Sequence, residues 1–197
     1  MQVTSMESRL SWIREIDEAD ADPALADVYE HIRGQRGRVA NILRVHSLDP
    51  GALQAHLDLY MHLMFSRSGL SRLEREAVAV AVSAENACAY CVAHHLEALH
   101  RYVPDPDVLD AVREGRHHHL PMRLAAMLDH ARVLTRHPSG CKESHIVALH
   151  AAGLDDAQIL RLTLVVAYFN FVNRIALGLG VAVGADEVQG YRADSGD

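Results

Sequence analysis

The sequence is short of cysteine, of cationic side chains and of long apolar runs, and each shortage excludes a class of protein. Three cysteines in 197 residues cannot build a disulfide scaffold, so a reducing, cytoplasmic setting is expected. Nineteen Lys and Arg stand against 26 Asp and Glu, a formal net charge of -7. Nucleic-acid binding needs clustered cations to neutralise phosphates, so no nucleic-acid partner is expected. No run of 18 or more uncharged apolar residues occurs, so no membrane-spanning segment is expected. The opening MQVTSMESRLSWIREIDEAD lacks the unbroken apolar block of a secretory signal. Strand punctuation is scarce as well. What remains is a chain that is 49% apolar, enough for the core of one domain spanning residues 1–197.

Helix punctuation recurs along that chain. Asp22-Pro23, Asp49-Pro50 and Asp105-Pro106 each set a capping acid before a proline suited to the first helical turn. Ser71 followed by Glu74 reads as a capping box. Gly34, Gly69, Gly115 and Gly153 fall where helical patterns stop. Between these marks the apolar residues follow helical spacing, as in Leu53, Leu57, Tyr60, Met61 and Met64. Helices are expected near 23–33, 38–47, 50–66, 71–84, 87–101, 106–114, 121–136, 142–152 and 155–179, an all-α fold. The ordered core is expected at about 20–185, with loose polar ends at 1–10 and 185–197.

A weak internal repeat is visible. Gly69-Leu70-Ser71 and Gly153-Leu154-Asp155 each open a helical pattern, 84 residues apart. The same offset pairs Asn86 with Asn170, and sets Cys88, Cys91 and His95 against Val172, Ile175 and Leu179. The second copy therefore lacks the cysteines. Two buried helices of similar composition would give the same impression.

The chemistry concentrates in residues 69–101. Cys88, Cys91 and His95 lie at i, i+3 and i+7 and share one helix face. A helix starting just after Asn86, read as its cap, places both sulfurs in the first turns, where free N–H groups favour thiolate. His95, four residues after Cys91, is placed to accept or relay its proton. In the preceding helix Glu74 is explained by the capping box and Arg75 by solvent. Glu76 instead shares the face of Leu73, Ala77 and Val80, which reads as buried, and its pKa is expected to rise toward that of a general base. Pairing with an arginine, or a place at a subunit boundary, is the other reading of Glu76.

The C-x-x-C spacing alone also fits two small buried residues or half of a zinc site. Zinc needs further ligands; His94 or His95 supplies one at most, and no second C-x-x-C exists. No metal and no cofactor is expected. Thioredoxin-type motifs sit in βαβ patterns, which this chain lacks.

The span Glu76 to His95, reading E-x11-C-A-Y-C-x3-H, resembles the core motif of the AhpD-like alkylhydroperoxidases within the carboxymuconolactone decarboxylase superfamily. Val39-Ala40-Asn41-Ile42-Leu43, Gly69-Leu70-Ser71 and Val166 to Arg174 resemble its longer, peroxidase-related branch, so the likeness covers about residues 20–185. It implies an all-helical thiol peroxidase that reduces organic hydroperoxides without haem or metal. By position Cys91 matches the peroxide-attacking cysteine, Cys88 the resolving one, and Glu76 and His95 the proton relay. The branch implies assembly as a dimer, trimer or hexamer. An external dithiol, such as a lipoylated or thioredoxin-like protein, would reduce the resulting disulfide. One departure stands out. Tyr90 occupies the place where well-known members carry histidine, and a phenol donates a hydrogen bond rather than shuttling protons near neutral pH. Tyr90 and Asn86 are therefore read as relay or support residues. Two further readings remain: a decarboxylase-like enzyme acting on a small carboxylated compound, and a non-catalytic protein that binds metal or senses oxidants.

His117-His118-His119 is expected to be a solvated turn, and His94 a surface or interface residue. Asn170, Asn173 and Arg174 interrupt an apolar helix and are expected to be structural, with Arg174 near Glu76 if the repeat holds. Cys141 follows Ser139-Gly140 in a loop and is assigned no catalytic part. The apolar 155–179 segment exceeds what one small bundle hides, which points to a homo-oligomer.

Overall fold

Three Asp-Pro pairs and one capping box start four of the helices as their chemistry requires. The computed structural model describes residues 9–184, 187 and 188. Its helices are α1 (Pro23–Arg36), α2 (Asn41–Arg44), α3 (Pro50–Phe65), α4 (Arg72–Glu85), α5 (Ala89–His100), α6 (Pro106–Glu114), α7 (Met122–Arg136), α8 (Glu143–Ala151) and α9 (Asp156–Leu179). No strand occurs among the described residues. Asp22, Asp49 and Asp105 accept the N–H groups of Leu25, Ala52 and Asp107 at 2.9, 3.0 and 3.0 Å. Ser71 and Glu74 close the expected box, at 2.8 and 3.2 Å.

Two boundaries differ from expectation. Gly34 does not end α1: the helix runs on to Arg36 and closes on Gly37, whose φ is 85° and whose N–H reaches the Arg33 carbonyl at 2.9 Å. In place of a helix over 38–47, α2 holds four residues.

The chain folds as two compact units, one formed by Met1–Leu59 with Ile175–Asp197 and the other by Tyr60–Arg174. Within the first, the buried Tyr29 donates its hydroxyl to the Ile16 carbonyl at 2.8 Å. Glu187, 3% exposed, accepts from the Asn41 backbone N–H at 2.7 Å and its side-chain amide at 2.6 Å, which puts a carboxylate at the positive end of α2. Leu10 accepts from Ala182 at 2.9 Å, so part of the expected loose ends is tied down. The rest of them, 1–8, 185, 186 and 189–197, lies outside the described residues.

The second unit is built on α4, which packs against α5, α6 and α7. Every residue from Arg75 to Ser83 is buried, so this helix has lost its solvent face along that stretch. The openings of α4 and α9 are alike. Gly69 and Gly153 take left-handed φ values of 74° and 83°, and Leu70 and Leu154 are each 3% exposed. Asp155 and Gln158 form a second box at 2.8 and 3.0 Å. The two openings are also bonded: Gln158 donates to the Gly69 carbonyl at 2.9 Å, while Arg123 bridges the Gly153 carbonyl and Glu74 at 2.8 and 2.7 Å. Beyond these turns they diverge, because α4 breaks after Glu85 and α9 runs straight on.

α9 spans 24 residues with an 18-residue window of mean hydropathy 1.5, long and apolar enough by composition to cross a membrane. Yet 44% of that window is buried inside the protein, and its Asn170 and Asn173 are hydrogen-bonded within the fold, as befits a core helix. Leu160, Leu164 and Phe171 stay exposed along one stripe, the feature on which the expectation of a homo-oligomer rests.

Gly34 and Gly153 separate two backbone effects, since an added Cβ meets nothing within 4 Å at either. Gly34→Ala, inside a helix, should raise unfolding stability by about 0.5–1 kcal/mol. Gly153→Ala, at positive φ, should lower it by about 1 kcal/mol. Urea denaturation midpoints of the two variants should move in opposite directions.

Candidate active site

The break between α4 and α5 positions the thiols. Asn86 closes α4 instead of opening α5, and Ala87 turns the chain at φ 53°, a left-handed conformation costing an L-residue about 1–2 kcal/mol. The Cys88 N–H returns to the Ser83 carbonyl at 2.9 Å, so Cys88 itself becomes the N-cap of α5. The cap expected at Asn86 thus lies two residues later, because the left-handed residue must be spent before α5 can begin.

The two sulfurs lie 3.1 Å apart and are reduced, with Cys88 and Cys91 only 1% and 3% exposed. They do not share one electrostatic fate. Contact with the Cys91 thiol lowers the Cys88 pKa from 9.0 to about 7 against the effect of burial. The N–H groups of Tyr90 and Cys91 and the Asn173 amide assist, although the N–H groups close no ordinary capping bond. The Cys88 sulfur and burial push the Cys91 thiol up, against help from Asn173 and the Ser83 hydroxyl. Thiolate character was expected for both sulfurs; it belongs to Cys88, because in the contact between the two sulfurs Cys91 keeps the proton.

Glu76 is fully buried and both of its oxygens are occupied. Arg72 binds Oε1 through Nε at 2.7 Å and Nη2 at 2.6 Å, and His95 Nδ1 donates to Oε2 at 2.7 Å. Burial alone would raise the Glu76 pKa, but His95 and then Arg72 outweigh it and hold the carboxyl below its ordinary value. The expected rise toward a general base is therefore reversed: Glu76 is an ionised group that orients His95. That bond fixes the proton of neutral His95 on Nδ1 and leaves Nε2 as the acceptor.

Arg72 is the cation that the sequence reading missed, although its i, i+4 spacing to Glu76 is the signal for such a pair. Its guanidinium also donates to the Met64 carbonyl at 3.1 Å and lies 3.7 Å from the centre of the Phe65 ring. Arg174 goes elsewhere, donating to the Asn170 carbonyl and side chain at 2.7 and 2.9 Å. Arg75, expected in solvent, is 6% exposed and donates to the Leu70 and Met64 carbonyls at 2.6 Å each.

Aromatic groups wall the site. The His95 ring meets the buried Phe169 edge-on at 4.6 Å between centroids. Tyr168 stacks on Tyr60 at 5.9 Å, and its pKa is raised by burial, then by Tyr60 and Cys91. Tyr90, 5% exposed, lies 4.3 Å from the His94 ring, whose Nδ1 donates to the Tyr90 carbonyl at 2.9 Å. His94 is thus half-buried against its own helix.

A polar chain backs the sulfurs. Asn86 donates to Asn170 at 3.1 Å, its partner at the 84-residue offset, and to Asn173 at 2.9 Å. Asn173 donates to the Ser83 hydroxyl at 3.1 Å. Ser83 follows Glu76 by seven residues on the buried face of α4, a second signal not used in the sequence reading. His117 is not solvated: it is 4% exposed and pairs with Asp129 at 2.7 Å, while His118 and His119 are exposed. Cys141 is half-buried and free. Among the described residues, no three His, Cys, Asp or Glu side chains cluster to hold a metal ion.

A helical fold carrying a buried cysteine pair beside a glutamate–histidine pair has known relatives. The family model described as the Carboxymuconolactone decarboxylase family matches residues 50–116, which include all the residues of the motif. An uncharacterized peroxidase-related protein from Silicibacter sp. TM1040 has a similar structure at 29% identity and a TM-score of 0.80, over 92% of this chain and 95% of that one. An alkylhydroperoxidase AhpD core protein from Ralstonia eutropha JMP134, also peroxidase-related and uncharacterized, aligns at 26% identity and a TM-score of 0.82, over 92% and 96%. The debrominase Bmp8 shares the fold at 18% identity and a TM-score of 0.73, over 94% and 100%. No curated protein matches. These matches support a place for the chain in the AhpD and carboxymuconolactone decarboxylase superfamily. Within it, the likeness runs to the peroxidase-related branch.

Glu76→Gln tests the ion-pair reading. Leaving Arg72, whose side chain is 13% exposed, without its carboxylate should cost roughly 3 kcal/mol at neutral pH. Because the folded-state pKa of Glu76 lies below the ordinary 4.5, its stabilisation is complete above that value and fades as the pH falls through the folded value. The wild-type advantage over Glu76→Gln should therefore shrink in acid; a constant difference across a denaturation series from neutral to acid pH would contradict the assignment.

Proposed function

We propose that the protein is a thiol-dependent peroxidase that reduces organic hydroperoxides through the Cys88 and Cys91 pair. The 3.1 Å sulfur contact beside the Arg72–Glu76–His95 group carries this reading. Cys91, whose thiol is pushed up, needs a base, and His95 stands one helical turn after it with Nε2 available as acceptor. His95 takes the Cys91 proton; the thiolate attacks the terminal, hydrogen-bearing peroxide oxygen, forming S–O and breaking O–O. The departing alkoxide takes the proton back from His95 and leaves as the alcohol. Cys91 is then a sulfenic acid. Cys88, after giving its proton to solvent, attacks that sulfur, and the displaced hydroxide takes up a solvent proton and leaves as water. Two thiols and one hydroperoxide thus give one disulfide, one alcohol and one water. An external dithiol restores the pair, and the low pKa of Cys88 makes it the better leaving sulfur in that exchange. The buried Tyr168 and Phe169 favour an organic over an inorganic peroxide.

Free-thiol titration before and after cumene hydroperoxide tests the proposal. Wild-type protein should lose two of its three thiols and keep Cys141, and Cys91→Ser should consume no peroxide. Cys88→Ser should stop at a dimedone-trappable sulfenic acid on Cys91. Unchanged peroxide consumption by Cys91→Ser would overturn the assignment. Conversion of a small carboxylated ring compound, without thiol loss, would support decarboxylation in its place.

A further inference from the structure

The peroxidase reading gives the anionic sulfurs no permanent cation: Arg72 is committed to Glu76, and His95 is charged only while it holds the Cys91 proton. Their surroundings provide dipoles. Asn173 is fully buried and sits between four groups. Its carbonyl oxygen accepts from the Asn86 amide at 2.9 Å, which settles the carboxamide orientation and leaves Nδ2 as the end facing α4 and the thiols. One Nδ2 hydrogen goes to the Ser83 hydroxyl at 3.1 Å. The Cys88 N–H returns to the carbonyl of that same Ser83 at 2.9 Å, which sets the second Nδ2 hydrogen beside the cysteine turn, and the amide lowers the pKa of both cysteines. Having accepted from Asn173, the Ser83 hydroxyl has its own proton to offer, and it too acts on Cys91. Asn86 is itself held, because Asn170 receives its second bond and is braced by the Thr135 hydroxyl at 3.0 Å and by Arg174.

We propose that Asn173, oriented by Asn86 and Ser83, is the neutral donor that holds the negative charge of the reduced cysteine pair. A carboxamide fits this task better than a cation. It lowers the energy of the thiolate without binding it so strongly that nucleophilicity is lost. The inference rests on the cysteine pair being the reacting group, but not on peroxide being its substrate.

The experiment measures the thiolate fraction of reduced protein against pH, by ultraviolet absorbance and by the rate of iodoacetamide alkylation, in a Cys141→Ser background. Asn173→Ala should move the first ionisation upward by about one unit, which slows alkylation roughly tenfold on the acid side of the titration. The rates should converge with wild type in alkali, where the thiols ionise without help. Asn173→Asp, which puts a carboxylate against the sulfurs, should shift the profile further. Asn86→Ala, at a half-buried position, should produce a smaller shift in the same direction and serves if the buried variants fail to fold by circular dichroism. Wild-type profiles in every folded variant would overturn the inference. Shifted profiles in a protein whose thiols ignore hydroperoxides would uphold it and refute the peroxidase reading alone.

Discussion

A carboxylate with no solvent exposure sets the terms for the second unit. Ionised Glu76 is tolerable inside α4 only while both of its oxygens are held, since an unpaired buried charge costs more than any local packing returns. Arg72 satisfies one oxygen from the same helix. His95 satisfies the other from α5, so the imidazole cannot turn away without exposing the carboxylate to an apolar interior. What keeps Glu76 soluble in the core also fixes the tautomer and the direction of His95, the base of the proposed reaction.

The same helix has to stop at the right place. α4 and α9 open with matching left-handed glycines, buried leucines and capping boxes, yet only α4 breaks. The break costs a left-handed alanine and places Cys88 at a helix N-terminus. α9 continues through the corresponding position and contributes Phe169, Asn170 and Asn173 from an unbroken rod. One element supplies reactive groups at a strained turn; its unstrained counterpart supplies the rigid wall and the donors against which they are held.

Much of this was legible in the residues. Asp-Pro pairs and the Ser71 to Glu74 spacing located helix starts, because capping is local chemistry. The face shared by Cys88, Cys91 and His95 follows from helical periodicity alone, and the motif gave the family. Gly34 misled because glycine in a helix interior is tolerated and the true stop lay three residues on. The Glu76 pKa was misjudged because burial was visible in the pattern, whereas pairing with an arginine was only the second reading and the His95 bond was not visible. Arg72 was available at i−4, but His95 reaches the carboxylate only through the packing of α5 on α4. Asn173 could be seen to interrupt an apolar helix. That it faces sulfurs depends on a contact across 90 residues, with Ser83, which no local pattern encodes.

The division of charge bears on why Tyr90 can stand where a histidine is familiar. A second imidazole next to Cys91 would offer a cation directly to the thiols, and a thiolate paired with a cation ionises early but attacks weakly. Here the Arg72 cation is held on Glu76, while the sulfurs are served by a carboxamide, a hydroxyl and backbone N–H groups. The Cys91 thiol first, and these dipoles after it, bring Cys88 to about 7, so that near neutral pH it exists in both forms. In the proposed cycle Cys88 first acts as a thiolate and later departs as one, and such a sulfur is best kept at that balance. Tyr90, neutral and packed against His94, preserves it by adding no charge of its own.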